Sequence, residues 1–216
     1  MTLIMYDVKH RTEVYMKVSR EQVAANRQTI LEAAGRLFRA QGFERVTVAD
    51  VMKAAGLTHG GFYGYFKSKD DLIAQTLAHV LAEGPAEIDL ARYTESYLSQ
   101  RHCQNIAGGC TTAALGSETT RQTPEARAAM TKGLRQHIER LSRSAKGKTA
   151  TEKRRAAIGS WSAMVGAMIM ARFSDDPKLS EELLAQTRAW IAGAATSRGR
   201  TVTRSRRCPL ESQPPP

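Results

Sequence analysis

Cysteine is scarce. The 216 residues hold three, Cys103, Cys110 and Cys208, too few and too unevenly placed for a secreted disulfide framework. A reducing compartment is expected. Long apolar runs are also missing. No segment approaches the roughly 18 apolar residues a membrane-crossing helix requires, and the N-terminus has no apolar stretch followed by a small-residue cleavage site. The expectation is a cytoplasmic protein with no membrane partner. Acids are in short supply, 21 against 32 Lys and Arg, for a net charge of +11. Such an excess points to a polyanionic partner, nucleic acid or an acidic surface, without choosing between them. Catalytic signatures are lacking too: no phosphate loop, no serine nucleophile elbow, no paired His-carboxylate motif. Isolated acids such as Glu118 and Glu125 read as solvated helix residues. The chain is not expected to be an enzyme or to need a cofactor.

What is present is ordinary globular material, 42% hydrophobic and 25% charged, in a chain long enough to bury a core without staples. Residues 1–18 show no periodicity and read as a flexible arm, with Met16 a candidate natural start. Residues 196–216 carry five arginines against the single Glu211, supplying +4, and end in three prolines. Nothing there can bury a core, so a disordered basic tail is expected. A second basic stretch runs from Lys132 to Arg155, with nine Lys or Arg against Glu139 and Glu152.

Between these ends the pattern is helical, with no convincing strand. Ile30, Ala33, Ala34, Leu37 and Phe38 fall on one face of an amphipathic helix, which Gly42 ends as a left-handed cap. Thr47, with Asp50 three residues on, is a capping box for a helix burying Val48, Val51, Met52 and Ala55. Thr58 opens a short third helix and Ser68 a fourth. Further helices are predicted over about 86–101, 111–120, from Thr123-Pro124 through Leu141, over 156–171, and from Asp176-Pro177 through Ile191.

The most informative stretch is Thr47 to Lys69. Two short helices joined by Ala55-Gly56-Leu57 have the dimensions of a helix-turn-helix, whose second helix enters the DNA major groove. That second helix holds Gly60, Gly61 and Gly64, each costing roughly 0.8–1 kcal/mol against alanine, so it needs tertiary support. Phe62 and Phe66, four apart, can anchor one face. The other face then presents Thr58, His59, Gly60 and Tyr63. Glycine lets a backbone approach DNA closely, and the Thr58 and Tyr63 hydroxyls can donate to phosphate. Lys69 lies in the first turn of the next helix, where amides and a cation suit a phosphate. The alternatives are plain: Tyr63 a core aromatic, His59 and Lys69 merely solvated.

Residues 27–77 resemble the DNA-binding region of the TetR/AcrR family of bacterial repressors. The resemblance is carried by Ile-Leu-Glu-Ala-Ala-Gly-Arg-Leu-Phe (30–38), Gly42-Phe43, Thr47-Val48-Ala49-Asp50-Val51, Ala54-Ala55-Gly56-Leu57, and Phe62-Tyr63-x-Tyr65-Phe66-x-Ser68-Lys69-x-x-Leu72. It implies an all-α chain: a three-helix helix-turn-helix domain over 19–67 and a larger helical ligand-binding and dimerisation domain over 68–195. It implies a homodimer, a double-stranded DNA operator and an unidentified small-molecule effector as partners. Tyr63 and Lys69 would bind phosphates, with Thr47 assisting, while Thr58, His59 and Gly60 face base edges.

In the regulatory half, Gly159, Ala163, Ala167 and Ala171 fall four apart, a small-residue stripe that permits close helix packing. The resemblance places this helix and Lys178–Ala195 in a dimer interface, with Gly159, Ala163, Ala167 and Trp190 as candidates; a monomer core helix is the alternative. Candidate pocket residues are Tyr93, Tyr97, His102, Cys110, Trp161, Met164 and Met168. Cys110 precedes a predicted helix, whose amides favour a thiolate; a buried inert thiol is the alternative. His102, Cys103 and Cys110 lack a fourth ligand, so no metal site is expected.

A rival reading is a sequence-independent nucleic-acid binder driven by the basic segments. Deleting residues 196–216 separates the two. A specific binder keeps its preference for DNA from upstream of its own coding region and loses chiefly non-specific affinity. A charge-driven binder loses most of its affinity for every sequence. Fluorescence anisotropy at two salt concentrations reads the difference.

Overall fold

The computed structural model describes residues 19–194; the predicted arm at 1–18 and tail at 196–216 lie outside the described residues. Among the described residues every regular element is helical. Helix α1 (Arg20–Gln41) starts at Ser19, whose hydroxyl accepts from the Gln22 amide at 3.1 Å. It ends at Gly42, whose amide donates to Phe38 at 2.8 Å. Gly42 has φ +83° but an extended ψ of 168°, so the cap uses glycine's freedom without entering the left-handed helical well predicted for it. Helix α2 (Val48–Ala54) opens on the predicted capping box. Gly56, at φ +71°, then turns the chain.

The next segment departs from expectation. His59–Gly64 is a 3₁₀ helix, not an α-helix, and the Thr58 side chain does not cap it. Three glycines in six residues leave too little intrinsic helix preference to hold α geometry, and the tighter form is common in such short pieces. Ser68 caps α3 (Lys69–Ala82), accepting from the Asp71 amide at 3.1 Å.

One hydrophobic core joins Ile30, Leu31, Ala34 and Phe38 of α1, Phe43, Val46, Val51, Met52, Phe62 and Phe66, and Leu72, Ile73 and Leu77 of α3. Leu115 and Ala126, from the helices beyond, complete it. Helix α3 therefore belongs to the first core along one side and packs on the second half along the other.

The single helix expected near 86–101 is two, α4 (Leu90–Tyr97) and α5 (Gln100–Gln104). Ser99 breaks the run, because its hydroxyl accepts from the His102 amide and starts a new helix. Arg188 donates to the freed Leu98 carbonyl at 3.2 Å. Helices α6 (Thr111–Thr119) and α7 (Pro124–Ser144) follow the predicted bounds closely. Helix α8 (Ala150–Phe173) begins six residues before the predicted start, at a Thr149–Glu152 capping box. Its charged first turns hid it from an apolar reading. Helix α9 (Pro177–Ala194) ends the described chain.

The expectation that no segment is long and apolar enough to cross a bilayer needs amending: α8, with mean hydropathy 1.3, meets that test by length and composition. Its Ala157, Trp161, Met164, Ala167, Met168 and Ala171 are buried in a second core with Leu141 of α7 and Leu184 of α9. That packing accounts for one side of the helix; Ile158, Ile169, Met170 and Phe173 on it stay exposed.

Among the described residues, helices α3 and α7 make the most extensive helix–helix contact. They approach closely at Gly133, where an added Cβ would sit 2.5 Å from Leu81 Cβ. Overpacking of this kind costs about 1–3 kcal/mol, more than the roughly 1 kcal/mol by which alanine improves a helix. Gly133→Ala is therefore expected to lower the urea midpoint. An unchanged or raised midpoint would show that the two helices can separate freely.

Candidate functional site

Two regions gather the predicted residues. In the first, Phe62 is 1% exposed and its neighbour Tyr63 is 74% exposed. Phe62 stacks on Phe66 with ring centroids 5.7 Å apart and rests against the Tyr63 ring edge-on at 5.3 Å. The Arg27 guanidinium covers Phe66, 5.6 Å from its centroid, a cation–π contact. Tyr65 ties the segment to α1, accepting from the Asn26 amide at 3.0 Å. So held, the segment exposes Thr58, His59, Gly60 and Tyr63 together. A Cβ at Gly60 or Gly64 would meet nothing within 4 Å. The fold itself does not require glycine there.

Thr47 is exposed, but its hydroxyl donates to Asp50 at 2.6 Å and accepts from the Asp50 amide. Its hydrogen is committed to the capping box, and these hydrogen bonds hold the Asp50 carboxyl below its ordinary pKa. Lys69 is half-buried, its ammonium donating to the Glu44 carbonyl at 3.3 Å. Two of its three donors stay free of that bond. Arg45, Lys53 and Lys67 are exposed in the same stretch. Sequence reasoning did not single them out; the charge excess was their signal.

The second region is a cavity of about 430 Å³ between the end of α3, α4, the α5–α6 loop, α7 and α8. Of the predicted pocket residues, Tyr93, Tyr97, His102, Cys110 and Trp161 line it. Met164 and Met168 do not; both are fully buried in the second core. Sequence reasoning missed His137, Leu134 and Arg140, which also line it and sat inside what read as a basic stretch. The His137 ring lies 4.1 Å from Trp161 and 5.5 Å from Tyr93. Cys110 is the N-cap of α6, its sulfur accepting from the Ala113 amide at 3.4 Å. Cys103 and Cys110 are free thiols, and no metal-competent cluster of His, Cys, Asp and Glu occurs among the described residues.

Of the dimer candidates, Gly159 and Trp190 are exposed and Ala163 is half-buried. Ala167 is 1% exposed and faces its own chain's core. Beside Trp190, the exposed large apolar residues of α8 and α9 are Ile158, Ile169, Met170, Phe173 and Leu179.

Helix α6 reaches both regions. At its start, Arg39 of α1 donates to the Ala107 carbonyl at 2.6 Å and to the Thr111 hydroxyl at 3.3 Å. Near its end, Glu118 accepts from the Phe43 amide at 2.8 Å. Glu118 is thus a strut between α6 and the α1–α2 turn, not a solvated residue, because that amide has no other partner so close at hand. Glu125 is exposed, as expected.

Burial raises the phenol pKa values of Tyr93 and Tyr97 and lowers those of His102 and His137, the last from 6.5 to about 4. The cavity rings are therefore uncharged at neutral pH. Between pH 6.5 and 4 the unfolded chain binds a proton at His137 that the folded chain refuses. This contribution to stability is intact above pH 6.5 and is lost as pH falls through that window. Urea unfolding at pH 7, 5.5 and 4.5 should decline less steeply for His137→Phe than for the parent chain. Parallel declines would place the titration elsewhere.

Comparison with known proteins agrees with this geometry. Residues 30–76 match the family model for bacterial regulatory proteins of the tetR family. The uncharacterized HTH-type transcriptional regulator YfiR of Bacillus subtilis is 36% identical over 73 residues, 34% of this chain and 36% of that protein. The HTH-type transcriptional regulator TtgR of Pseudomonas putida is 38% identical over 78 residues, 36% of each chain. The chain thus spans about a third of the length of these curated relatives. Among solved structures, reduced E. coli NemR superposes with a TM-score of 0.64 at 23% identity, covering 78% of this chain and 96% of that one. A TetR transcriptional regulator from Legionella pneumophila gives 0.62 at 16% identity, covering 84% and 100%. Those likenesses speak for the fold across both halves, and the sequence matches speak for the helix-turn-helix. Together they show a tetR-type helix-turn-helix region over residues 30–76 and, across both halves, the fold of these solved regulators.

Proposed function

We propose that the chain is a ligand-responsive transcriptional regulator, a homodimer that represses by holding a palindromic operator and releases it when a small molecule fills the cavity. The observation that carries the DNA-binding part is the split within His59–Gly64: Phe62 buried, Tyr63 standing in solvent. An exposed phenol beside a threonine, a histidine and an open glycine backbone offers hydroxyl donors and close backbone approach to phosphates and base edges. Tyr63 and Lys69 contact phosphates in this reading, and Thr58, His59 and Gly60 approach base edges. Thr47 contributes by capping α2.

Dimerisation is supported by the exposed apolar residues of α8 and α9, where Phe173 is 74% and Trp190 60% exposed. Two recognition segments must reach half-sites about 34–36 Å apart, which one copy cannot do. Ligand response is supported by the position of α6, with the cavity at its first turn and Glu118 near its last. A ligand that favours one setting of α6 shifts the α1–α2 turn with it, provided it binds the two settings unequally.

The test is binding to a DNA fragment from directly upstream of the protein's own coding region, near physiological salt with excess unrelated DNA. Tyr63→Phe combined with Lys69→Ala is expected to weaken binding about 10- to 100-fold and to flatten the salt dependence by about one counterion for the lost lysine. Binding that survives the double substitution would rule out this face as the DNA contact.

A further inference from the structure

The cavity has an unusual lining. Tyr93, Tyr97, His137 and Trp161 form a cluster in which each ring lies 4.1–6.3 Å from Trp161 or its neighbours. Flat faces of this kind take another flat ring in stacked or edge-on contact. Within this apolar wall are two polar atoms without partners. The Tyr97 hydroxyl belongs to a side chain 97% buried by its 3% exposure and makes no well-aligned hydrogen bond, although the Cys110 thiol faces it. His137 Nε2 is likewise buried and unpaired. Both flank Trp161. A buried polar atom without a partner is costly, and two on the wall of one cavity mark where a ligand's polar group belongs.

The sign of that group follows from the charges around it. Arg140 holds the Leu81, Glu83 and Gln136 carbonyls beside Tyr93 and His137. Arg172 donates to the His102 and Cys103 carbonyls beside Tyr97, and its third nitrogen is buried and unpaired. The bonds that both guanidiniums make go to neutral carbonyls, which do not cancel their charge; Arg140 lines the cavity and Arg172 lies beside Tyr97, outside the lining. The one carboxylate on the lining, Glu83, is exposed at the rim. The interior is positive and offers no counter-ion to a cation.

We infer that the cavity binds a small planar aromatic acid, its rings against Trp161, Tyr93 and His137 and its acidic oxygens accepting from the Tyr97 hydroxyl and His137 Nε2–H. This narrows the effector proposed above and rests on that reading of the cavity. A volume of about 430 Å³ is at the lower end of the range, about 300–1,000 Å³, for small-molecule sites, which suits one or two fused rings. His137 donates as the Nε2–H tautomer, uncharged at neutral pH because burial holds its pKa near 4.

Calorimetry on the full chain at pH 7.5 tests this with three probes of one shape: 2-naphthoate, its neutral methyl ester and the 2-naphthyl trimethylammonium cation. Naphthoate is expected to bind at least tenfold tighter than either. Tyr97→Phe should weaken naphthoate about tenfold and the ester less than threefold, with melting of the free protein unchanged or raised; His137→Phe should do the same independently. Tightest binding by the cation, equal losses across all three probes, or no binding of any probe would overturn the inference. Operator release is read separately. Naphthoate that binds in this pattern without releasing DNA supports the aromatic-acid site and refutes the effector reading.

Discussion

The burial of Phe62 and Phe66 against α1 and α2 is the contact on which the rest of the DNA-binding surface depends. The segment they anchor is half glycine and has little reason to be ordered alone. Side-chain burial of this size, about 1.5–3 kcal/mol for each large apolar group, offsets the glycine cost of roughly 0.8–1 kcal/mol apiece. With the two rings fixed, Tyr63 has one direction left to point, which is outward. Phe62 lies inside the 3₁₀ turn and Phe66 just beyond it, so the two rings hold both the turn and its exit.

A second dependence runs through α6. It is a helix of nine residues, too short to be stable by itself, and it is held at both ends by other parts of the chain. Arg39 pins its entry and Glu118 pins the α1–α2 turn to its exit. Leu115, between them, is buried in the first core, while Cys110 and Thr111 open onto the cavity. One short element therefore has its two faces in different compartments of the molecule. In the ligand response proposed above, α6 moving as one rigid body is the link between cavity and DNA surface, with no wire of side chains required.

Much of this was legible in the residues. The Thr47–Asp50 capping box, Ser68, Pro124 and the apolar faces set several helix positions within a residue or two, because caps and periodicity are local chemistry, whereas the unread Thr149–Glu152 box left α8 six residues short. The misses were also local in origin. Ser99 splits a helix that the spacing of Ile88, Leu90, Tyr93 and Tyr97 made look continuous. Glycines turned an expected α-helix into a 3₁₀ one. At the site, Tyr63, Phe62 and Phe66 were separable because buried and exposed aromatics alternate on so short a segment. His137 was not, since a histidine among arginines looks solvated until tertiary packing sets it on Trp161. Glu118 likewise looks solvated until α6 is laid against the α1–α2 turn, a contact 75 residues apart in sequence. Met164 and Met168 erred the other way: their chemistry suits a pocket, but their register on α8 turns them into the core.

The splitting of the 90–104 stretch into two short helices bears on how such a molecule diversifies. The long helices α3, α7, α8 and α9 carry the extensive packing and, through Gly133 and its neighbours, tolerate little change in volume. The short α4 and α5 contribute Tyr93, Tyr97 and His102 to the cavity while making few contacts elsewhere. Alterations in their length or sequence can remodel the chamber while leaving the long-helix frame in place. The chamber is thus walled on one side by short pieces that carry little of the frame and on the other, at Leu134, His137 and Trp161, by the frame itself, so its α4–α5 side is the one that can change shape without disturbing what holds the molecule together.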